Sequence, residues 1–373
     1  MGSRDHSKEV YMKRIILALS ILVVSFSIII YNSNIITGFF QGARPEYQHS
    51  TISKSQEAQL SPTDSHLTSG LPISSPIDSP QHMNTVKIAM SKTLSHAKVT
   101  PHRSAARGHS DHGWLNTYHS FSFADWFNPN FTHFGSLRVL NEDRVKPNSG
   151  FPTHPHRDFE IFSYIISGEL THRDSMLKKG AEGAQSDKFY RMHRGDVQFT
   201  TGGTGIAHSE QNEHNKDTVH FLQIWAIPWK RGLTPRYHTR HFDEEKKRLG
   251  FVPILSPLKG GPDATHQQEQ AAEPTIDGTI PIHADFVMSA GIIAPQKRFE
   301  WVVGANATEN TKRKVYIHLT MAKGGKAKIR LDGREEVYDE GDGAFVDDVR
   351  AGDKLSVESV GDVEAEVVVL DTA

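Results

Sequence analysis

Cysteine is absent from all 373 residues, and that single absence removes disulfides, thiolate nucleophiles, cysteine-bound zinc and iron–sulfur clusters together. Any metal must be held by histidine, aspartate or glutamate. A dominant charge is missing as well: 42 Lys and Arg stand against 44 Asp and Glu, a formal net of −2. No bulk basic field is available to hold nucleic acid, so direct nucleic-acid binding is not expected. The basic runs "EEKKRLG" and "TKRKVY" sit among acids or in strand-like context and read as solvated surface. Sustained helical periodicity is scarce beyond about residue 96. In its place is alternation at period two, punctuated by glycine.

Long uncharged runs are also few, which draws attention to "IILALSILVVSFSIIIY", residues 15 to 31. It lies at the short end of the roughly 17 to 25 residues that cross a bilayer as a helix. Lys8, Lys13 and Arg14 precede it and Arg44 follows, so the positive-inside rule places the N-terminus in the cytosol. A single-pass membrane protein is the expectation, with a cleaved signal peptide as the rival reading of the same residues. A shorter form starting at Met83 or Met90 would instead belong to the cytoplasm or nucleus. Residues 43–95 are rich in Ser, Pro, Thr and Gln and poor in aromatics; they bury too little apolar surface to offset ordering entropy and are read as a disordered linker.

In "VHFLQIWAIP", Val219, Phe221, Gln223, Trp225 and Ile227 share one face, and His220, Leu222, Ile224 and Ala226 the other. Both faces are largely apolar, as in a strand packed between two layers. Later segments, "KVYIHLTM", "KAKIRL", "DKLSVESV" and "VEAEVVVLD", repeat the pattern between glycine turns. Short strands at such spacing predict an all-β sandwich or barrel. The stretches "HRGDVQFTTGG" and "DEGDGAFVDDV" echo one another and hint at duplication. The expected divisions are a tail and hydrophobic helix over 1–42, the linker over 43–95, a first folded domain over 96–238, a connector over 239–277 and a second domain over 278–373.

Histidine is abundant, 22 residues, so a single H-x-H arises by chance about once in a chain like this. His154 and His156 in "FPTHPHRDFE" gain weight from a second pair, His208 and Glu210 in "TTGGTGIAHSEQNEH". Residues i and i+2 of a strand project from one face about 6.5 to 7 Å apart, within reach of one ion. Two adjacent strands would present His154, His156, His208 and Glu210 together. Imidazole and carboxylate without sulfur suit Fe(II), Mn, Co, Ni, Cu or Zn. Pro155 fits only a strand start, edge or bulge, which places His154 at the mouth of its strand.

These motifs, with "RGHSDHGWLNTYHSFSFADWFNPNFTHFGSLRVLNEDRV", "GFPTHPHRDFEIFSYIISGELTHRDSM" and "VHFLQIWAIPWKRGLTPRY", resemble the pirin family of the cupin superfamily over about residues 103 to 240. The remainder is similar to the second cupin domain of bacterial-type pirins. The resemblance implies two cupin barrels in tandem: an N-terminal one binding a single divalent metal, most often iron, through His154, His156, His208 and Glu210, and a metal-free C-terminal one. In the second barrel only His283 and His318 remain as histidines. Glu160 occupies the place where many cupins have their fourth ligand. It therefore stands as an alternative ligand, an orienting group or a general base beside Glu210. Pirins that cleave flavonols such as quercetin with O₂ imply a small planar aromatic substrate, with Phe159, Phe162, Phe199, Phe221 and Trp225 as candidate lining. The alternative is a non-enzymatic regulatory pirin acting as a transcription cofactor or redox sensor.

Overall fold

The computed structural model describes residues 93–175, 191–305 and 307–373. Among these the architecture is all-β: two barrels, each built from a seven-stranded and a four-stranded sheet. In the first barrel the large sheet runs in the order Arg236–His241, Asp196–Thr201, Glu160–Ser167, Val219–Ala226, Leu137–Val145, Leu115–His119, Gly108–Asp111, and the small one Ser149–His156, Ile206–Asn212, Glu169–Asp174, Arg191–His193. The second barrel repeats the plan. Its large sheet is Lys98–His102, Gly343–Arg350, Lys312–Leu319, Ala365–Thr372, Phe286–Ile293, Val252–Pro257, Ile280–Ile282, and its small one Arg298–Val302, Lys354–Ser359, Lys328–Leu331, Val337–Asp339. The two Gly-Asp echoes lead into Asp196–Thr201 and Gly343–Arg350, the second strand of each large sheet. The duplication is real.

Strand parity explains the core. Along Val219–Ala226, Leu222, Ile224 and Ala226 join Phe162, Tyr164 and Phe199 in a cluster completed by Phe286, Met288, Tyr316, Val368 and Leu370 of the second barrel. The opposite face, Val219 and Phe221, packs inside the first barrel with Leu115, Val145, Ile165 and Leu170. Large apolar side chains on both faces are what a sheet sandwiched between its own barrel and its neighbour requires. Phe162→Ala is expected to cost about 3–5 kcal/mol, the usual range for emptying a buried phenylalanine site. Phe127→Ala, at a side chain that is 69% exposed, should leave the urea midpoint nearly unchanged.

The barrels also exchange chain. Lys98–His102 pairs antiparallel with Gly343–Arg350 and so covers the edge of the second barrel's large sheet. An uncovered edge strand is an aggregation hazard, and this one is closed from the start of the folded region. The equivalent edge of the first barrel is closed by Arg236–His241. The segment 239–277, expected as a connector, holds two six-residue helices, Glu244–Leu249 and His266–Ala271, and the strand Val252–Pro257 of the second barrel. Asp243 caps the first helix by accepting from Lys246 N, and Thr265 with Gln268 forms a capping box on the second.

One expectation is corrected. No helix among the described residues is long and apolar enough to cross a membrane, so the single-pass membrane localisation is withdrawn. Residues 15–31, on which it rested, and the linker over 43–95 except its last three residues, lie outside the described residues.

Candidate metal centre

The first barrel's small sheet brings the two expected pairs into register. Ile206–Asn212 lies beside Ser149–His156, with His208 opposite His154 and Ile206 opposite His156. Opposed residues in an antiparallel pair share a face, so His154, His156 and His208 project together. Their ligand atoms all lie within 4.8 Å of one another, with His154 and His156 half-buried and His208 buried. The register slips by one between His208 and Glu210, where Pro152 and Thr153 bulge out of the partner strand. Gly150 makes the close approach possible. A Cβ there would fall against the Glu210 carbonyl oxygen and 2.6 Å from Gln211 Cα.

The protonation pattern suits a cation. His154 Nδ1 donates to Pro152 O at 2.7 Å, which leaves Nε2 with its lone pair free. That Nε2 is 3.1 Å from His208 Nε2. Two nitrogens each about 2.1 Å from one ion and near 90–110° apart are separated by roughly 3.0–3.4 Å, so the pair is already spaced as neighbouring ligands. Burial, then the charges of His154 and His172, push His156 down to about 3. Burial, then His156, His172 and His154, push His208 further down. His156 and His208 are therefore neutral near pH 7, as ligation demands. His208 Nδ1 is buried without a hydrogen-bond partner. The residues present fit a divalent metal.

The depressed values carry a pH consequence. For a histidine whose folded pKa lies below the ordinary 6.5, the unfolded chain binds more protons at acid pH. The metal-free protein therefore loses stability progressively as pH falls from 6.5 toward 3. Thermal melts of metal-stripped protein should show this slope, and a saturating divalent ion should flatten its upper part.

Glu210 is buried, its oxygens accepting from Ser163 Oγ at 3.0 Å and Gln223 Nε2 at 3.2 Å. It lies two residues from His208 but outside the group whose ligand atoms fall within 4.8 Å. Glu160 faces elsewhere. Parity on Glu160–Ser167 places it with Phe162 and Tyr164, toward the second barrel. There its Oε2 lies 3.1 Å from the donating Thr201 hydroxyl and 3.4 Å from His283 Nδ1, while Glu269 takes His283 Nε2 at 2.9 Å. Burial opposes a charged His283, but Glu160 and then Glu269 outweigh it and raise its pKa. The stability this gives is full below about pH 6.5 and fades as pH rises through the raised value. Glu160→Gln should lower the His283 pKa, as followed by NMR, and leave metal affinity unchanged.

Of the five aromatic residues expected to line a pocket, Trp225 touches the imidazoles and Phe159 reaches them only through it. Trp225 packs edge-on to His156 at 4.9 Å and meets Phe159 at 5.3 Å and Phe123 at 5.5 Å. Phe162 and Phe199 belong to the core between the barrels, and Phe221 to the interior of the first. The structure adds two residues that the sequence reading passed over. His172 and Asp174 lie on Glu169–Asp174, opposite Glu210 and His208 respectively. With His208 they form a second group of ligand atoms within 4.8 Å, all three residues buried. They are themselves an i, i+2 pair, the same signal that marked the other two.

A family model described as Pirin matches residues 99–226. A protein of Escherichia coli O157:H7 named quercetin 2,3-dioxygenase is 32% identical over 266 residues, 71% of this chain and 94% of that one. A protein of the same name from Escherichia coli K12 is 42% identical over 163 residues, 43% of this chain and 64% of its own length. Among solved structures, the bacterial pirin YhhW of Escherichia coli in complex with nickel(II) superposes with a TM-score of 0.57 at 29% identity, over 74% of this chain and 99% of that one.

Proposed function

Because this chain belongs to the pirin family, we propose that it is a metal-dependent dioxygenase that opens the heterocyclic ring of a quercetin-type flavonol with O₂. The observation that carries the reading is the trio of converging imidazoles, His154, His156 and His208, with Trp225 packed edge-on to His156. The ion proposed is Fe(II), with Ni, Mn, Co, Cu and Zn as alternatives; the nickel complex of the bacterial pirin supports a divalent ion in such a barrel. When bound, the ion supplies Lewis acidity that lowers the pKa of a ligated flavonol hydroxyl.

The chain's own residues do the rest. Pro152 O holds His154 in the Nδ1–H tautomer, so Nε2 meets the ion without a proton to lose. Glu210 is the proposed fourth ligand, turned by Ser163 and Gln223 so that its charge is fixed in place. As the one buried carboxylate two residues from His208, it is also the proposed acceptor of the substrate proton. Trp225, Phe159 and Phe123 form an apolar edge on which a planar ring can stack. Glu160, tied to His283, has no part in this assignment.

The test is oxygen uptake. Full-length protein loaded anaerobically with Fe(II), mixed with quercetin and then air, should bleach the flavonol spectrum with one O₂ consumed per flavonol, and His156→Ala should not. If protein carrying a full equivalent of Fe(II) or Ni(II) consumes no oxygen with any flavonol, the enzyme assignment fails and the regulatory pirin replaces it.

A further inference from the structure

Among the described residues, three imidazole nitrogens in the first barrel are buried without a hydrogen-bond partner: both nitrogens of His172, and Nδ1 of His208. A neutral imidazole with neither nitrogen satisfied is costly to bury, and such a group calls for an explanation. His172 is fully buried, its ring stacked on Tyr237 at 5.1 Å and set edge-on to His208 at 4.8 Å. His172 Nε2 lies 3.6 Å from Asp174 Oδ2. That separation is too long for a hydrogen bond but suits two ligands that share an ion about 2.1 Å from each. His208 completes the group within 4.8 Å.

We propose that His172, Asp174 and His208 form a second cation site, and that His208 is shared between the two. The inference rests on the reading of His208 as a metal ligand. His208 turns Nε2 toward His154, so Nδ1, on the other edge of the ring, is the atom left for the second ion. Binding there displaces the Nδ1 proton to solvent and makes the ring an imidazolate with one ion on each nitrogen. Two imidazoles and one carboxylate select a borderline transition ion of the Zn(II) or Co(II) kind over Ca²⁺ or Mg²⁺, which prefer all-oxygen shells. Strand geometry favours the arrangement. Asp174 is opposite His208 and His172 is opposite Glu210, so the pair His172 and Asp174 and the pair His208 and Glu210 share the inner face of the small sheet.

Metal-stripped full-length protein titrated with Co(II), followed by visible absorption and by bound metal after gel filtration, should take up two equivalents. His172→Asn and Asp174→Asn should each retain one, and that retained equivalent shows that the variant is folded. His154→Asn should lose the other equivalent and keep the one held by His172. Wild type that saturates at one equivalent overturns the second site and leaves the first intact, as does a second equivalent that survives both His172→Asn and Asp174→Asn. Wild type that binds no Co(II) sinks both sites together.

Discussion

Replacing His208 by alanine should lower divalent-metal affinity at least a hundredfold and abolish any oxygenase activity, while the protein remains folded. The size of the effect follows from position. His208 sits at the centre of the small sheet, its Nε2 3.1 Å from that of His154, and belongs to both groups of converging ligand atoms. Groups that merely orient a ligand are worth about 10–100-fold in metal affinity, and loss of a ligand must exceed that. Folding should survive because the removed ring is a buried, neutral histidine with one unpartnered nitrogen, a group that offers the fold little. Metal analysis after dialysis and the far-UV spectrum check the two halves. Normal metal content in His208→Ala would refute the assignment of this residue.

The second large effect lies between the barrels. Glu142→Ala should destabilise the protein by about 3–5 kcal/mol, the usual result of leaving a buried charge without its partner. The stranded charge is Arg107, whose guanidinium is fully buried 3.3 Å from Glu142 and donates to Gly341 O of the second barrel. Glu142 itself accepts from His220 at 2.9 Å, from His318 of the second barrel at 2.9 Å and from Met321 N at 2.6 Å. Burial opposes its charge, but the hydrogen bonds from His220 and His318 prevail and hold it well below the ordinary 4.5. Since the folded value is depressed, the stability from Glu142 is complete above about pH 4.5 and is lost as pH falls through the folded value. Urea unfolding of wild type and Glu142→Ala should thus differ widely at pH 7 and converge in strong acid. A shift under about 1 kcal/mol at pH 7 would mean that this hub is not what joins the barrels.

Much of this was legible in the sequence, and the limits have physical causes. The double apolar face of Val219–Ala226 announced a strand between two layers, and the spacing of 154/156 and 208/210 put His154, His156 and His208 within one group of converging side chains, because period two is a property of a strand alone. Glu160, read as an alternative to Glu210 or as an orienting group, meets Thr201 and His283 instead, because its orientation is not local. Asp158, with φ 56°, turns the chain out of the small sheet, and Glu160 then opens a strand of the large sheet, where pairing with Thr201 and Ala226 sets its face. Spacing from His156 carries no information across such a turn. His172 and Asp174 carried a legible i, i+2 signal. What no spacing reveals is the register that sets Asp174 against His208. The exchange of Lys98–His102 into the second barrel is likewise a matter of which edge stands open. Val252–Pro257 hides its strand behind Pro253 and Pro257, residues that argue against a strand until the structure places Pro253 at a bulge against Phe286–Ile293 and Pro257 at the strand's end.

The most direct measurement is anomalous diffraction from crystals of the full chain grown with nickel(II), collected at the nickel edge. The account predicts a peak about 2.1 Å from His154 Nε2 and from a ring nitrogen each of His156 and His208. A nickel peak away from these three imidazoles, with their rings still turned toward one another and no ion between them, would contradict it.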